Sequence, residues 1–309
     1  RQGNRAALLL SMCAITDLPC ELVLVRPRSR GVDHSASQPV DPEDWIHPLV
    51  MVSLKEGEVW LDFSNRYARF DHIPPEVQDV VGLRIRPDRG EIRTPLRDNG
   101  AREIAVEISL DREGEVHAQG QETMVGFVAS GWRRILTSAP ADRRDRLLRR
   151  LVQQMLPDFE VETAALTNLQ SISEPLTFRW SARGQVRRRE SLRSFSLNLS
   201  PERLSLATLQ QPKRSTPMWF ERFTDLSVQV SVRVPADWIP RHVPAVVRAG
   251  LSGATYQRDA WWDKDEETLS IRKRFQLTPL LVFPGQYSRW TQVARAVDEA
   301  EKAMVAKLQ

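Results

Sequence analysis

Cysteine is scarce in this chain. Cys13 and Cys20 are the only two in 309 residues, and neither sits in a Cys-x-x-Cys pair or has histidines at ligand spacing. That excludes a metal site built on them, and two cysteines are too few to identify a redox compartment. Long apolar runs are missing too: the longest are strand-sized or short-helix-sized, so no transmembrane span and no secretory leader is visible. Excess charge of one sign is also absent. Lys and Arg number 44 against 40 Asp and Glu, a net charge of +4, which gives little reason to expect the concentrated basic face that nucleic-acid binding favours. There are no repeats, no low-complexity segments and no pattern calling for a cofactor. There is no initiator Met either, so the chain is expected to be a portion of a longer polypeptide.

What is present is globular material. With 41% hydrophobic and 27% charged residues, the chain is long enough for two domains with ordinary cores. The first part carries the motifs. Gly3 to Cys13 reads as a helix that ends near Asp17, and Leu18-Pro19 turns it into the strand-like run Cys20-Glu21-Leu22-Val23-Leu24-Val25. Further on, Trp45-Ile46-His47-Pro48-Leu49-Val50-Met51-Val52 reads as a strand opening with His, and Val59-Trp60-Leu61-Asp62 as its neighbour.

In that order and register these segments resemble the bacterial transglutaminase-like proteins. The resemblance covers roughly the first seventy residues and implies the rear half of a papain-like core. In it, a Cys at a helix start, a His and an Asp on two adjacent antiparallel strands form the reactive triad. Ala6, Leu8-Leu9 and Leu18-Pro19 fall on family positions, His47 on the base and Asp62 on the orienting carboxylate, while Gln2 takes the nucleophile's place. A thiol attacks a carboxamide only as thiolate, so the family's Cys relies on a helix N-terminus and an adjacent His, and the Asp fixes the imidazole tautomer. Gln offers an amide with no nucleophilic lone pair. Gly3 and Asn4 also depart from the family's basic and acidic residues just after the Cys.

A plainer reading stands beside this one. A His before an apolar strand is commonly a packed or capping residue, and a strand-end Asp is commonly a turn former. The two can also hydrogen-bond simply to hold two strands in register. Cys13 and Cys20 read best as small buried hydrophobes, with a disulfide across the helix-strand turn left open. Ser11 and Cys13 lie several turns inside the helix, outside the anion-favouring field of its N-terminus.

Residues 71–100 are rich in Pro, Gly and Asp and read as an irregular connection between domains. Tyr67, Phe70 and Ile73-Pro74-Pro75 match the family's habit after its Asp. From residue 101 strand periodicity takes over: Ile104, Val106, Ile108 and Leu110 alternate with polar residues, and Asp111-Arg112-Glu113-Gly114 turns the chain back. Helices are expected near 122–155, with Leu147, Leu148, Leu151, Val152 and Met155 on one face, and near 286–307, with Trp290, Val293, Val297, Ala300 and Met304 on one face. Between them, Leu226 to Val234 alternates without a miss. The arginines from Arg183 to Arg193 read as a solvated hairpin loop, or otherwise as an anionic contact. This order, with Tyr287-Ser288-Arg289-Trp290 before a closing helix, looks like the carboxy-terminal region of large bacterial proteins that pair a domain of unknown function with a transglutaminase-like core.

Two aromatic sites are candidates for recognition. Trp261-Trp262 lies in a polar stretch and Trp219 follows Pro217; indoles anchor partners and stack on sugar faces, though packing in the core or between domains is the simpler account of both.

The expectation is an α+β protein: the transglutaminase-like part over 1–70, a connecting segment over 71–100, and a β-rich antiparallel sheet or sandwich over 101–309 with a helical insertion and a C-terminal helix. Its function is read as that of a catalytically inactive binding or assembly module whose old groove, bordered by Gln2, Trp45, His47 and Asp62, takes a peptide, a polyamine or a cell-wall or glycan fragment. No metal or cofactor is expected. The alternatives are a thiol-dependent amide-bond hydrolase or transferase with its nucleophile elsewhere, and a purely structural interaction protein using Trp219, Trp261 or Trp262. The resemblance implies a periplasmic or secreted setting.

Overall fold

The computed structural model describes residues 5–28, 42–86, 90–97, 100–189, 192–198, 204, 208–209, 211–220, 224–278, 280–301 and 304–308. They fall into two compact units. The first comprises Arg1–Gly100 with Gly126–Arg134, and the second Ala101–Val125 with Ile135–Gln309.

The first unit is built on helix α1 (Arg5–Ile15) and five strands, β1 (Cys20–Val25), β2 (His47–Leu54), β3 (Gly57–Leu61), β4 (Val81–Arg84) and β5 (Gly90–Arg93). The strands form one antiparallel sheet in the order β3-β2-β1-β4-β5. Four successive residues of β2, Leu49 to Val52, are all buried, as a strand covered on both faces requires. On one face Val23, Val25, Leu49, Met51 and Trp60 join Ile73, Val77 and Val80 in a single apolar cluster. Cys20 alternates to the other face, and a disulfide ties it to Cys13 of α1.

The segment 71–100 is more than a connection, because it supplies β4 and β5 to this sheet. Both strands are four residues long and each contains a glycine, too little for alternation to register. Gly82 is needed where it stands, since a Cβ there would press on the Val23 side chain. Buried Gln78 pins the approach to β4 by donating to the Ile73 carbonyl and accepting from the Arg97 N–H, each at 2.8 Å.

The second unit centres on an eight-stranded sheet in the order β14-β15-β16-β13-β6-β7-β9-β8. Its strands are β6 (Arg102–Leu110), β7 (Glu115–Met124), β8 (Glu160–Thr167), β9 (Leu176–Gln185), β13 (Thr224–Arg233), β14 (Val247–Leu251), β15 (Ala254–Asp263) and β16 (Thr268–Leu277). Strands β10 (Arg187–Arg189), β11 (Leu192–Leu197) and β18 (Met304–Leu308) make a small sheet, and β12 (Met218–Phe220) pairs with β17 (Leu280–Val282). The sheet is mixed rather than antiparallel, because β6 and β13 run parallel at its centre. The side-chain period of two is the same in either direction, so the sequence pattern carries no sign of it.

Among the described residues three longer helices follow α1: α2 (Gly126–Ser138), divided between the units, then α3 (Ala141–Met155) and α4 (Tyr287–Ala300). The helical stretch expected near 122–155 is thus two helices, with residues 122–124 still in β7. The closing helix ends at Ala300, and Met304 opens β18, whose backbone pairs with β11. Helical spacing from Ala300 to Met304 could not foretell a sheet partner a hundred residues upstream. Along α4, Tyr287, Trp290, Val293, Ala294 and Val297 pack with Leu251, Ala254, Tyr256 and Leu277 of the sheet. The arginines after β9 do lie on a hairpin, with Arg187 exposed, but on its paired strands β10 and β11 rather than in a loop. Arg187 pairs with Asp158, Arg188 donates to the Glu113 carbonyl at 2.6 Å, and Arg193 lies 4.2 Å from the Trp238 ring centroid. Those partners come from distant parts of the chain, which a local count of charge does not see.

Candidate functional site

Strand β2 begins at His47, opposite Val25 of β1, and β3 ends at Leu61, opposite Val50. That register brings His47 and Asp62 to the same end of the sheet. His47 Nε2 donates to Asp62 Oδ1 at 3.2 Å, with the histidine side chain 17% exposed and the carboxylate 1%. Asp62 Oδ1 also accepts the Ser64 N–H at 3.0 Å, and Oδ2 accepts the Ser64 hydroxyl at 2.7 Å. Burial alone would raise the Asp62 pKa, but the hydrogen bonds from His47 and Ser64 together outweigh it and hold the carboxyl below its ordinary value. An ionised Asp62 can only accept, so Nε2 carries the proton of this bond and Nδ1 is the ring nitrogen turned away from it. Among the described residues Nδ1 has no hydrogen-bond partner. The two readings of Asp62 coexist: it is a turn former through Ser64 and it orients a histidine.

Helix α1 reaches this end of the sheet. Its disulfide fixes Cys13 beside Cys20 at the start of β1, and at about 1.5 Å per residue the helix runs back ~12 Å to Arg5. There Arg5 Nη1 donates to the carbonyl of Phe63, the residue after Asp62, at 2.9 Å. Gln2, at the nucleophile's place by resemblance, lies outside the described residues.

Neither alternative nucleophile is poised. Cys13 and Cys20 are not independent buried hydrophobes but partners, their Cα atoms 6.2 Å apart. Seven residues suffice to bring them together because Asp17 adopts a positive φ of 50° at the helix end and reverses the chain. Ser11 donates back to the Ala7 carbonyl at 2.9 Å, an ordinary bond inside a helix.

Of the aromatic candidates, Trp219, Trp261 and Trp262 belong to the second unit and Trp45 to the first. Trp45 is half-buried just before β2. Trp261 and Trp262 point to opposite faces of β15: Trp261 is 38% exposed with Arg272 5.1 Å from its ring centroid, and Trp262 pairs with buried Leu269. Trp219 sits in β12 opposite Leu281, beside Met218 of the α4 core cluster.

Sequence reasoning missed Ser64 and Arg5. Asp-x-Ser after a strand is a turn signature that could have found the first; nothing local marks the second. It also missed a buried polar cluster in the second unit. Glu301 accepts from Tyr256 Oη at 2.6 Å and Lys273 Nζ at 2.5 Å, and Arg258 donates to the carbonyls of Ala245 and Ala300. Burial pushes the Tyr256 phenol up and the Lys273 ammonium down. Among the described residues no three His, Cys, Asp or Glu side chains are grouped to hold a metal ion. No helix among them is long and apolar enough to cross a membrane.

No family model matches the chain, and no curated protein matches it. A crystal structure from Parabacteroides distasonis, described as "a putative protease", is similar over 98% of this chain and 42% of its own, with a TM-score of 0.48 and 12% identity. The chain thus spans less than half the length of that protein.

Proposed function

We propose that this chain is a transglutaminase-like module that has kept its base-carboxylate pair, His47 and Asp62, as a binding element and has Gln2 in place of the nucleophile. The hydrogen bond between His47 and Asp62, at the end of the sheet reached by the start of α1, carries this reading. By register His47 shares the face of Val25 and Leu49, so a group at the helix start would approach the imidazole over the end of the sheet. The disulfide supports inactivity, because it takes up both cysteines of the sequence and leaves no thiolate while it holds. It also supports an oxidising, periplasmic or secreted setting. The groove would take a peptide, a polyamine or a cell-wall fragment, with Nδ1 accepting a hydrogen bond from an amide or ammonium donor.

A second reading is favoured by the uncommitted Nδ1 itself. A neutral imidazole oriented by an ionised carboxylate is a working general base, and amide-bond hydrolysis or transfer would follow if a nucleophile were supplied from outside the described residues. Incubating the protein with glutamine-containing peptides and an amine, with mass spectrometry of the products, separates the two. The binding reading predicts no deamidated or transamidated peptide, and ring-proton shifts of the His47 imidazole on adding peptide. Turnover abolished by His47→Ala would give the site to the second reading.

A further inference from the structure

The second unit has an open sheet face that the His47–Asp62 reading does not use. Strands β14, β15 and β16 bury one face under α4, with Ala254, Tyr256, Leu251 and Leu277 in that core. Thr255, Gln257, Trp261, Arg272 and Arg274 alternate to the other face and are exposed. There a groove of about 350 Å³ runs over Gly250, where no side chain rises from the floor, between Arg248, Gln257, Arg274 and Gln276.

The groove's charges are cancelled in place. Arg248 Nη2 donates to Asp259 at 2.5 Å, and Gln257 donates to the same carboxylate at 2.9 Å. Arg274 donates to Asp225 through two nitrogens at 3.1 and 3.3 Å, and Gln276 donates to the same carboxylate at 3.2 Å. Arg272 acts on Asp259 and Glu103 on Arg274, so three guanidinium groups face three carboxylates. Among the described residues an anionic ligand finds no unmatched cation here. A peptide adding as a strand finds no free edge on β15 or β16, which are hydrogen-bonded on both sides; the edge strand of the sheet is β14. What remains is a row of planar amide, guanidinium and carboxylate groups, offering donors and acceptors side by side. It runs from Thr255 to the exposed Trp261, ~20 Å away at about 3.3 Å per residue.

We infer that this face binds a neutral oligosaccharide. Paired hydroxyls can bridge a carboxylate oxygen and an amide or guanidinium N–H at Gln257–Asp259 and Gln276–Asp225, and the side of the Trp261 indole not covered by Arg272 offers an apolar plate for a sugar ring farther along the strand. The match is one of charge: an uncharged polyol with alternating donors and acceptors meets a neutral surface that offers both.

Isothermal titration of the whole protein with cellotetraose, chitotetraose, maltotetraose and xylotetraose tests this, with a tetraglutamate peptide as the anionic control. The expected result is saturable binding of at least one neutral tetrasaccharide, unchanged between 50 and 500 mM salt. Binding should weaken about tenfold in both Trp261→Ala and Gln257→Ala. Both positions are exposed, and the thermal melt of each variant checks its fold independently. The inference is overturned by no binding across the sugar panel, by binding indifferent to both substitutions, or by salt-sensitive binding of the acidic peptide in preference to the sugars.

Discussion

Two polar clusters in this molecule use the same chemistry to different ends. In the second unit, Glu301 lies between the Tyr256 hydroxyl and the Lys273 ammonium, and Arg258 reaches the carbonyl of Ala300 at the C-terminal end of α4. Lys273 and Arg258 are 7% and 9% exposed, and their donors go to groups of the same unit. In the first unit, Asp62 is equally buried and accepts from His47 and Ser64, but the imidazole it holds is partly exposed and has one ring nitrogen that no described residue engages. A buried ion whose bonds close on themselves fixes a helix to a sheet. A buried ion whose partner presents a further, unspent valence is what a binding or reaction site needs. The perturbed carboxylate marks neither role; the difference lies in what its partner has left to offer.

The largest effect should come from breaking the closed cluster. Glu301→Ala leaves the Lys273 ammonium buried without its counter-ion and should destabilise the protein by about 3–5 kcal/mol. Denaturant unfolding should show this as a lower midpoint at unchanged slope. The paired change Lys273→Met with Glu301→Leu should recover most of it. A loss under ~1 kcal/mol in the single variant would mean that the cluster is not the lock described.

Next is the disulfide that sets α1 on β1. For a loop this short, Cys13→Ser with Cys20→Ser should lose roughly 2–3 kcal/mol, and wild-type protein under reductant should melt with the variant. If oxidised and reduced wild type melt together, the bridge does not hold the helix. Smaller again is Asp62→Asn, for which about 1–2 kcal/mol is expected from the weakened charged hydrogen bonds. The pH dependence has a definite sign. The carboxyl is more acidic folded than unfolded, so its contribution is complete above the ordinary aspartate range, near pH 4, and is lost as pH falls through the lower folded value. The acid limb of stability should therefore be steeper in wild type than in Asp62→Asn; identical limbs would remove Asp62 from the account.

Much of this was legible where one face of an element is buried. The alternation in β6 and β13 follows Ile104 to Leu110 and Leu226 to Val232, and the apolar stripe of α3 sinks Leu148, Val152 and Met155. His47 and Asp62 could be paired from spacing because a hairpin between β2 and β3 separates them. What stayed hidden was non-local. Strands β4 and β5 are too short for a period, and the parallel seam between β6 and β13 joins residues more than a hundred positions apart. Lys273 and Arg258 occupy inward slots of strands whose other inward residues are mostly apolar, so a charge breaking an alternation was the one available sign of the cluster. Arg5 meets Phe63 only because the fold brings a helix start to a strand end.

The central claim is that His47 and Asp62 keep the geometry of a base-carboxylate pair at the end of the sheet reached by the start of α1. The direct test is the pH dependence of thiol alkylation in Gln2→Cys, measured under non-reducing conditions so that Cys13 and Cys20 stay bridged, with Gln2→Cys combined with His47→Ala as the control. The account predicts a thiol that reacts well below the ordinary cysteine pKa of ~8.5 and loses that reactivity without His47. A thiol with the ordinary pKa, the same in both variants, would contradict it.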